Sequence, residues 1–98
     1  MTREVEFHSD AVEETRAAIQ WYAERSVHAA ESFLTDLEVT LQHLADNPER
    51  LSSYLQGTRR AALRTFPYLV VFRESQDRIQ IVAVAHAKRK PGYWRKRQ

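Results

Sequence analysis

Two apolar runs in the last third of the chain constrain its fold more than any other feature. The first opens at Phe66-Pro67-Tyr68 and continues through Leu69, Val70, Val71 and Phe72. The second holds Ile79, Ile81, Val82, Ala83, Val84, Ala85 and His86. A polar break from Arg73 to Arg78 joins them. Runs rich in β-branched residues around a short polar break predict a β-hairpin. Its apolar surface has to be covered by another element.

The preceding residues can supply that cover. Glu4, Glu6 and His8 alternate with Val5 and Phe7, which predicts a short strand with one apolar face. Asp10, three residues before Glu13, reads as an N-cap with a capping-box partner. A helix is expected from Ala11 to about Glu24, with Val12, Thr15, Ile19 and Tyr22 on one face. Ser26 reads as the N-cap of a second helix. Its stripe is Val27, Ala30, Leu34, Leu37, Leu41 and Leu44, at spacings of 3, 4, 3, 4 and 3, widened by Phe33. Asp46-Asn47-Pro48 ends it, because a residue before proline is pushed out of the α region. The short link implies an antiparallel helix pair. A free coiled coil is the rival reading of the heptads.

Pro48 to Thr58 reads as a loop. Arg59 to Thr65 reads as a strand, with Ala61 and Leu63 on one face and Arg60, Ala62 and Arg64 on the other. The order β-α-α-β-β-β predicts an α+β fold, an antiparallel helix hairpin packed on one face of a mainly antiparallel sheet. One domain over residues 1–98 is expected, with a basic C-terminal tail from about residue 88 to 98. The expected apolar core, Val82 included, ends before Pro91, so a chain cut there should still fold.

Charge is divided along the sequence. Residues 1–58 carry 4 Lys/Arg against 11 Asp/Glu, whereas residues 59–98 carry 11 against 2. Either the basic half faces a polyanion or acidic partner, or the acidic helices neutralise the basic sheet. With no cysteine, disulfides and thiolate metal sites are excluded. No apolar run approaches the roughly 18 to 20 residues that span a bilayer, and the N-terminus lacks a signal-peptide core. A cytoplasmic protein without membrane association is expected.

No metal site or cofactor is expected, since His8, His28, His43 and His86 have no ligand spacing and there is no Gly-rich phosphate loop. His8 and His28 read as surface residues. His86 reads either as an acid/base or phosphate contact, or as a backbone-bonded strand end. The acidic pairs Glu13-Glu14 and Asp36/Glu38 read as solvated helix faces. What remains is a basic set, Arg59, Arg60, Arg64, Lys88, Arg89, Lys90, Arg95, Lys96 and Arg97, interleaved with Tyr93 and Trp94. Arginine forks suit phosphate or carboxylate, and aromatic rings suit stacking or protein contact. Arg95 to Gln98 read as a solubilising tail, although Trp94 speaks for packing.

These residues resemble the RelE/ParE superfamily of bacterial toxins from type II toxin–antitoxin systems, over almost the whole chain. The likeness rests on Ala18-Ile19-Gln20-Trp21-Tyr22, on Phe33, Leu37 and Leu44, and on Asn47-Pro48. It continues through Arg64 to Phe72, Ala83-Val84-Ala85-His86 and Pro91-Gly92-Tyr93-Trp94. The resemblance implies one of two activities. RelE-like members are ribosome-dependent mRNA endoribonucleases; ParE-like members poison DNA gyrase.

For a nuclease, the resemblance leaves Arg60 and Tyr93 as the only candidate catalytic residues. The other expected basic positions fall at Ala62, Leu69 and near Ala87. A leucine cannot stabilise phosphate charge, and losing one such donor costs on the order of 10²- to 10³-fold in rate. The Phe-Pro-Tyr and Pro-Gly-Tyr-Trp segments also look ParE-like. The reading is therefore a ParE-like gyrase inhibitor neutralised by a ParD-like antitoxin, with a RelE-like nuclease or an inactive antitoxin-binding protein as alternatives. Expected target contacts are Arg60, Arg64, His86, Lys88, Arg89, Tyr93, Trp94 and Arg95; expected antitoxin anchors are Trp21 and Tyr22.

Overall fold

The computed structural model describes residues 3–97. Met1, Thr2 and Gln98, the last of them in the expected basic tail, lie outside the described residues. In order come β1 (Glu4–Phe7), α1 (Ser9–Ala23), α2 (Val27–Asp46), β2 (Ser52–Ser53), β3 (Arg59–Ala62), β4 (Tyr68–Glu74) and β5 (Arg78–His86). The sheet order is β1-β5-β4-β3-β2. β1 runs parallel to β5, and the other neighbours are antiparallel. This is the expected α+β arrangement, with one strand more than expected: β2, inside the stretch read as a loop, pairs Ser52 and Ser53 with Arg60 and Arg59.

Both helices form where the periodicity places them, with differences at their ends and faces. α1 starts two residues before Ala11, and its cap is His8, not Asp10; the ring Nδ1 accepts the Asp10 N–H at 3.0 Å. His8 is therefore engaged rather than free on the surface. Ser26 caps α2 as expected, its hydroxyl accepting the Ala29 N–H at 3.2 Å. The buried stripe of α2 is Ala30, Phe33, Leu37, Thr40 and Leu44. Leu41 is half-buried at its margin, but Val27 and Leu34 are 69% and 42% exposed. The helix has turned so that Phe33, not Leu34, meets the sheet. There Phe33 stacks on Tyr22 at 5.4 Å and meets Phe66 and Tyr68 edge-on.

β3 ends at Ala62 rather than Thr65, so Arg64 does not share a strand with Arg60. The cause is Asp36 of α2. Its carboxylate accepts backbone N–H groups from Arg64 at 3.1 Å, Thr65 at 2.8 Å and Phe66 at 3.3 Å. These bonds draw the chain out of the ladder into the turn that leads to β4. Asp36 is only 9% exposed, which corrects its reading as a solvated residue; Glu38 is exposed as expected.

The sheet is covered on both faces. Val70, Phe72, Ile79, Ile81 and Val84 pack under the helices. A bulge between Val71 and Phe72 shifts the register with β5, and Val82 leaves the helix side. Val82 joins Val71, Ala83 and Trp94 on the opposite face, with Tyr54 and Tyr93 beside them. The core thus extends past Pro91. Double cover also explains why Ile79 to Ala85 is nearly continuously apolar rather than alternating.

At the other end of the hairpin, Glu74 receives Arg59 Nε at 2.7 Å and a second bond from Arg3. The Arg3 bond is the larger cause, and together they hold Glu74 below its ordinary value of 4.5. A carboxylate lowered in the folded state adds stability above its unfolded pKa, and loses it as pH falls through the folded value. Glu74→Gln should therefore be less stable than the parent at pH 7. The gap should close on acidification below about pH 4.5. Urea unfolding at several pH values measures it.

Candidate functional site: the C-terminal segment and the groove beside α1

Residues 88–97 carry a dense group of exposed cations, Lys88, Arg89, Lys90, Arg95 and Lys96, and the chain folds this segment back onto the sheet. Gly92 makes the turn with φ at +90°, a left-handed value that glycine adopts without strain. Trp94 then enters the second face of the sheet and is 1% exposed. Its indole stacks on Tyr54 with centroids 5.4 Å apart, and the Arg60 guanidinium lies 4.6 Å over the same tyrosine ring. Arg60, Tyr54, Trp94 and Tyr93 form one connected series.

Glu14 of α1 holds the segment from the side. Arg97 grips it with a fork, Nη1 to Oε1 at 2.8 Å and Nη2 to Oε2 at 3.1 Å. The Tyr93 hydroxyl donates to Oε2, the Val84 N–H donates to Oε1 at 3.0 Å, and Arg89 approaches at 3.4 Å. Arg97 Nη1 also reaches the Val82 carbonyl at 3.0 Å. β1 pairs with β5 only from Arg78 to Ile81, so these side chains serve the backbone edge of β5 just beyond β1. Burial, then the Glu14 carboxylate, push the Tyr93 hydroxyl well above its ordinary pKa. Burial opposes the charge on Arg97, and Glu14 outweighs it.

Between α1 and the same edge of β5 runs a groove of about 460 Å³, lined among others by Glu14, Trp21, Tyr68, Val84, His86 and Arg89. Trp21 is 48% exposed, with the Arg25 guanidinium 3.5 Å over its ring. Tyr22, half-buried, also lines this groove and meets Trp21 edge-on, while its ring packs into the aromatic cluster with Phe33 and Phe66. One helix stripe cannot bury two adjacent rings, and Trp21 is the one left outside.

A family model described as the ParE toxin of the parDE type II toxin–antitoxin system matches residues 5–91. The chain belongs to the ParE toxin family. Among solved structures, a chain titled as the chromosomal ParDE toxin–antitoxin system from P. aeruginosa is similar, with a TM-score of 0.75 at 17% identity. The match covers 89% of this chain and 98% of that one, and at this identity it supports the fold alone. No curated protein matches the sequence. Tyr93, Trp94 and Arg97 lie beyond the span that the ParE model matches.

Within this ParE fold, the expected target residues do not form one cluster. Lys88, Arg89 and Arg95 are exposed around the docked segment, together with Lys90 and Lys96. Trp94 is not on the surface but packed, as its indole suggested; of the residues read as a solubilising tail, Arg95 and Lys96 are exposed and Arg97 is docked on Glu14. His86 stands across from Tyr68 at 5.2 Å, and its Nδ1 accepts the Lys88 N–H at 3.1 Å, as a backbone-bonded strand end would. Arg64 lies apart, beside α2 in a cleft with His28, Glu31 and Asp36. Glu14, read as solvated, has a side chain only 13% exposed, while its neighbour Glu13 is at the surface. Part of the charge division is thus satisfied within the molecule. Among the described residues, no helix is long and apolar enough to cross a membrane.

Proposed function

We propose that the chain is the toxin of a type II toxin–antitoxin pair that acts by binding DNA gyrase, not by cutting RNA. The observation that carries this reading is the state of Tyr93. Its hydroxyl is committed to Glu14 and its pKa is raised, so it is a poor proton acceptor near neutral pH. Leu69, Ala62 and Ala87 supply no charge to a scissile phosphate. The exposed cations around the docked segment suit a protein surface instead, with Arg60 continuous with them through Tyr54. An acidic, amphipathic antitoxin segment would neutralise the toxin by seating an apolar side chain on Trp21, with carboxylates toward Arg25 and Arg89.

Induction of the toxin without antitoxin is expected to cause filamentation and DNA-damage signalling while messages stay uncut. Mapping mRNA 5′ ends after induction tests this. New cleavage sites in ribosome-bound message would overturn the gyrase reading. Co-expression with the product of the adjoining reading frame should restore growth and give a complex that survives pull-down.

A further inference from the structure

We infer that Glu14 is a positioning residue for the target-binding surface: its carboxylate is the main anchor on the first helix, with Asp10 a weaker second at 3.5 Å from Arg97 Nε, and it fixes the basic C-terminal segment in the conformation that meets the target. This rests on the reading that residues 88–97 contact that target.

The segment has two attachments, of different kinds. Trp94 is buried, but its Nε1 has no hydrogen-bond partner among the described residues, so part of what its burial contributes is offset. Glu14 supplies the other attachment. Val84, Tyr93, Arg97 and Arg89 all direct donors at it. An ionised carboxylate has about four lone-pair positions, so a fifth donor is poorly served. That donor is Arg89, at 3.4 Å with a side chain 54% exposed, whereas Arg97 is 14% exposed. Glu14 therefore holds Tyr93 and Arg97 firmly and Arg89 loosely. Arg89 stays available to a partner, while the backbone presenting Arg95 and Lys96 is kept in place. Arg97 completes the clamp by bonding the Val82 carbonyl, and its own carbonyl accepts from Arg73 at 3.1 Å. A charge-assisted bidentate pair of this kind fixes direction as well as distance.

Glu14→Gln keeps the shape and an acceptor for Val84 but removes the charge that Arg97 grips; Glu14→Ala removes both. Amide hydrogen exchange on the purified full chain reads the clamp directly. In Glu14→Ala the amides of Arg95 and Arg97, bonded to Gly92 and Trp94, should exchange at least about tenfold faster, with β4 little changed. Glu14→Gln should be intermediate. Arg97→Ala should also speed exchange, and the double variant should fall short of the sum of the two, because they share the Arg97–Glu14 pair while each loses other bonds as well. In cells, killing should fall in the same order.

Unchanged exchange in both Glu14 variants would overturn the clamp. Released amides with undiminished killing would overturn the positioning role. The exchange result does not depend on which target is hit, so an error in the gyrase reading appears in the 5′-end mapping and not here.

Discussion

A chain ending at Pro91 is expected to lose its cooperative fold, and Trp94→Ala alone should remove much of the stability. The indole is 1% exposed and packs on Val71, Val82 and Ala83 with Tyr54 stacked against it. Truncating such a buried ring costs about 3–5 kcal/mol through lost transfer energy and the cavity left behind. Domains of this size hold only about 5–15 kcal/mol in total. The stop after Pro91 also deletes Tyr93 and Arg97, so Glu14 is left with Val84 and the loose Arg89. Urea unfolding should show the midpoint of Trp94→Ala falling with little change in slope, whereas the shortened chain should lack a clean transition. Arg95→Ala and Lys96→Ala, at exposed positions, should stay within about 0.5 kcal/mol of the parent. A shortened chain as stable as the parent would refute the view that the last residues belong to the core.

This result bears on how toxicity is interpreted. A loss of killing in a C-terminal deletion would reflect an unfolded protein as readily as a missing target contact. Arg95→Ala, Lys96→Ala and Arg89→Ala are the variants that separate the two, because they change exposed charge and leave Trp94 seated.

The helix pair was legible in the sequence because its apolar stripes repeat near 3.6, and the hairpin because two β-branched runs flank a short polar break. Register and cover were not. Phe33 rather than Leu34 faces the sheet because Tyr22, Phe66 and Tyr68 come together to receive it, and those residues are far apart in the chain. Two carboxylates were hidden for the same reason, Glu14 of the candidate site and Asp36 of the turn into β4. Glu14 bonds partners 70 to 83 positions away, and Asp36 bonds partners 28 to 30 positions away. Each has an exposed acidic neighbour on the same helix, and composition treats the pairs alike. One signal was present: Ile79 to Ala85 does not alternate, so both faces of that strand needed cover, and Trp94 was the nearest large residue without a place.

Asp36→Ala should be the second most damaging change, although its residue type and helix position suggest a harmless surface substitution. The carboxylate takes three consecutive backbone N–H groups, Oδ1 from Arg64 and Oδ2 from Thr65 and Phe66. In the alanine variant these donors lose their acceptor in a partly closed site. Each unsatisfied donor costs about 1–3 kcal/mol when water cannot reach it. The site opens toward a cleft beside His28 and Thr35, so water will recover some of that loss, and about 2–4 kcal/mol is expected in all. Asp36→Asn keeps the shape of the side chain and so isolates the chemistry. Its amide NH₂ faces at least one backbone donor, while its oxygen can still serve the pair from Thr65 and Phe66. It should therefore fall between parent and alanine. Glu38→Ala, exposed on the same helix, is the control and should stay within about 0.5 kcal/mol. Urea midpoints rank the three, and amide exchange at Arg64, Thr65 and Phe66 locates the loss. If Asp36→Ala and Glu38→Ala unfold alike, the turn into β4 is held by Phe66 packing among Tyr22 and Phe33, and the carboxylate merely follows it.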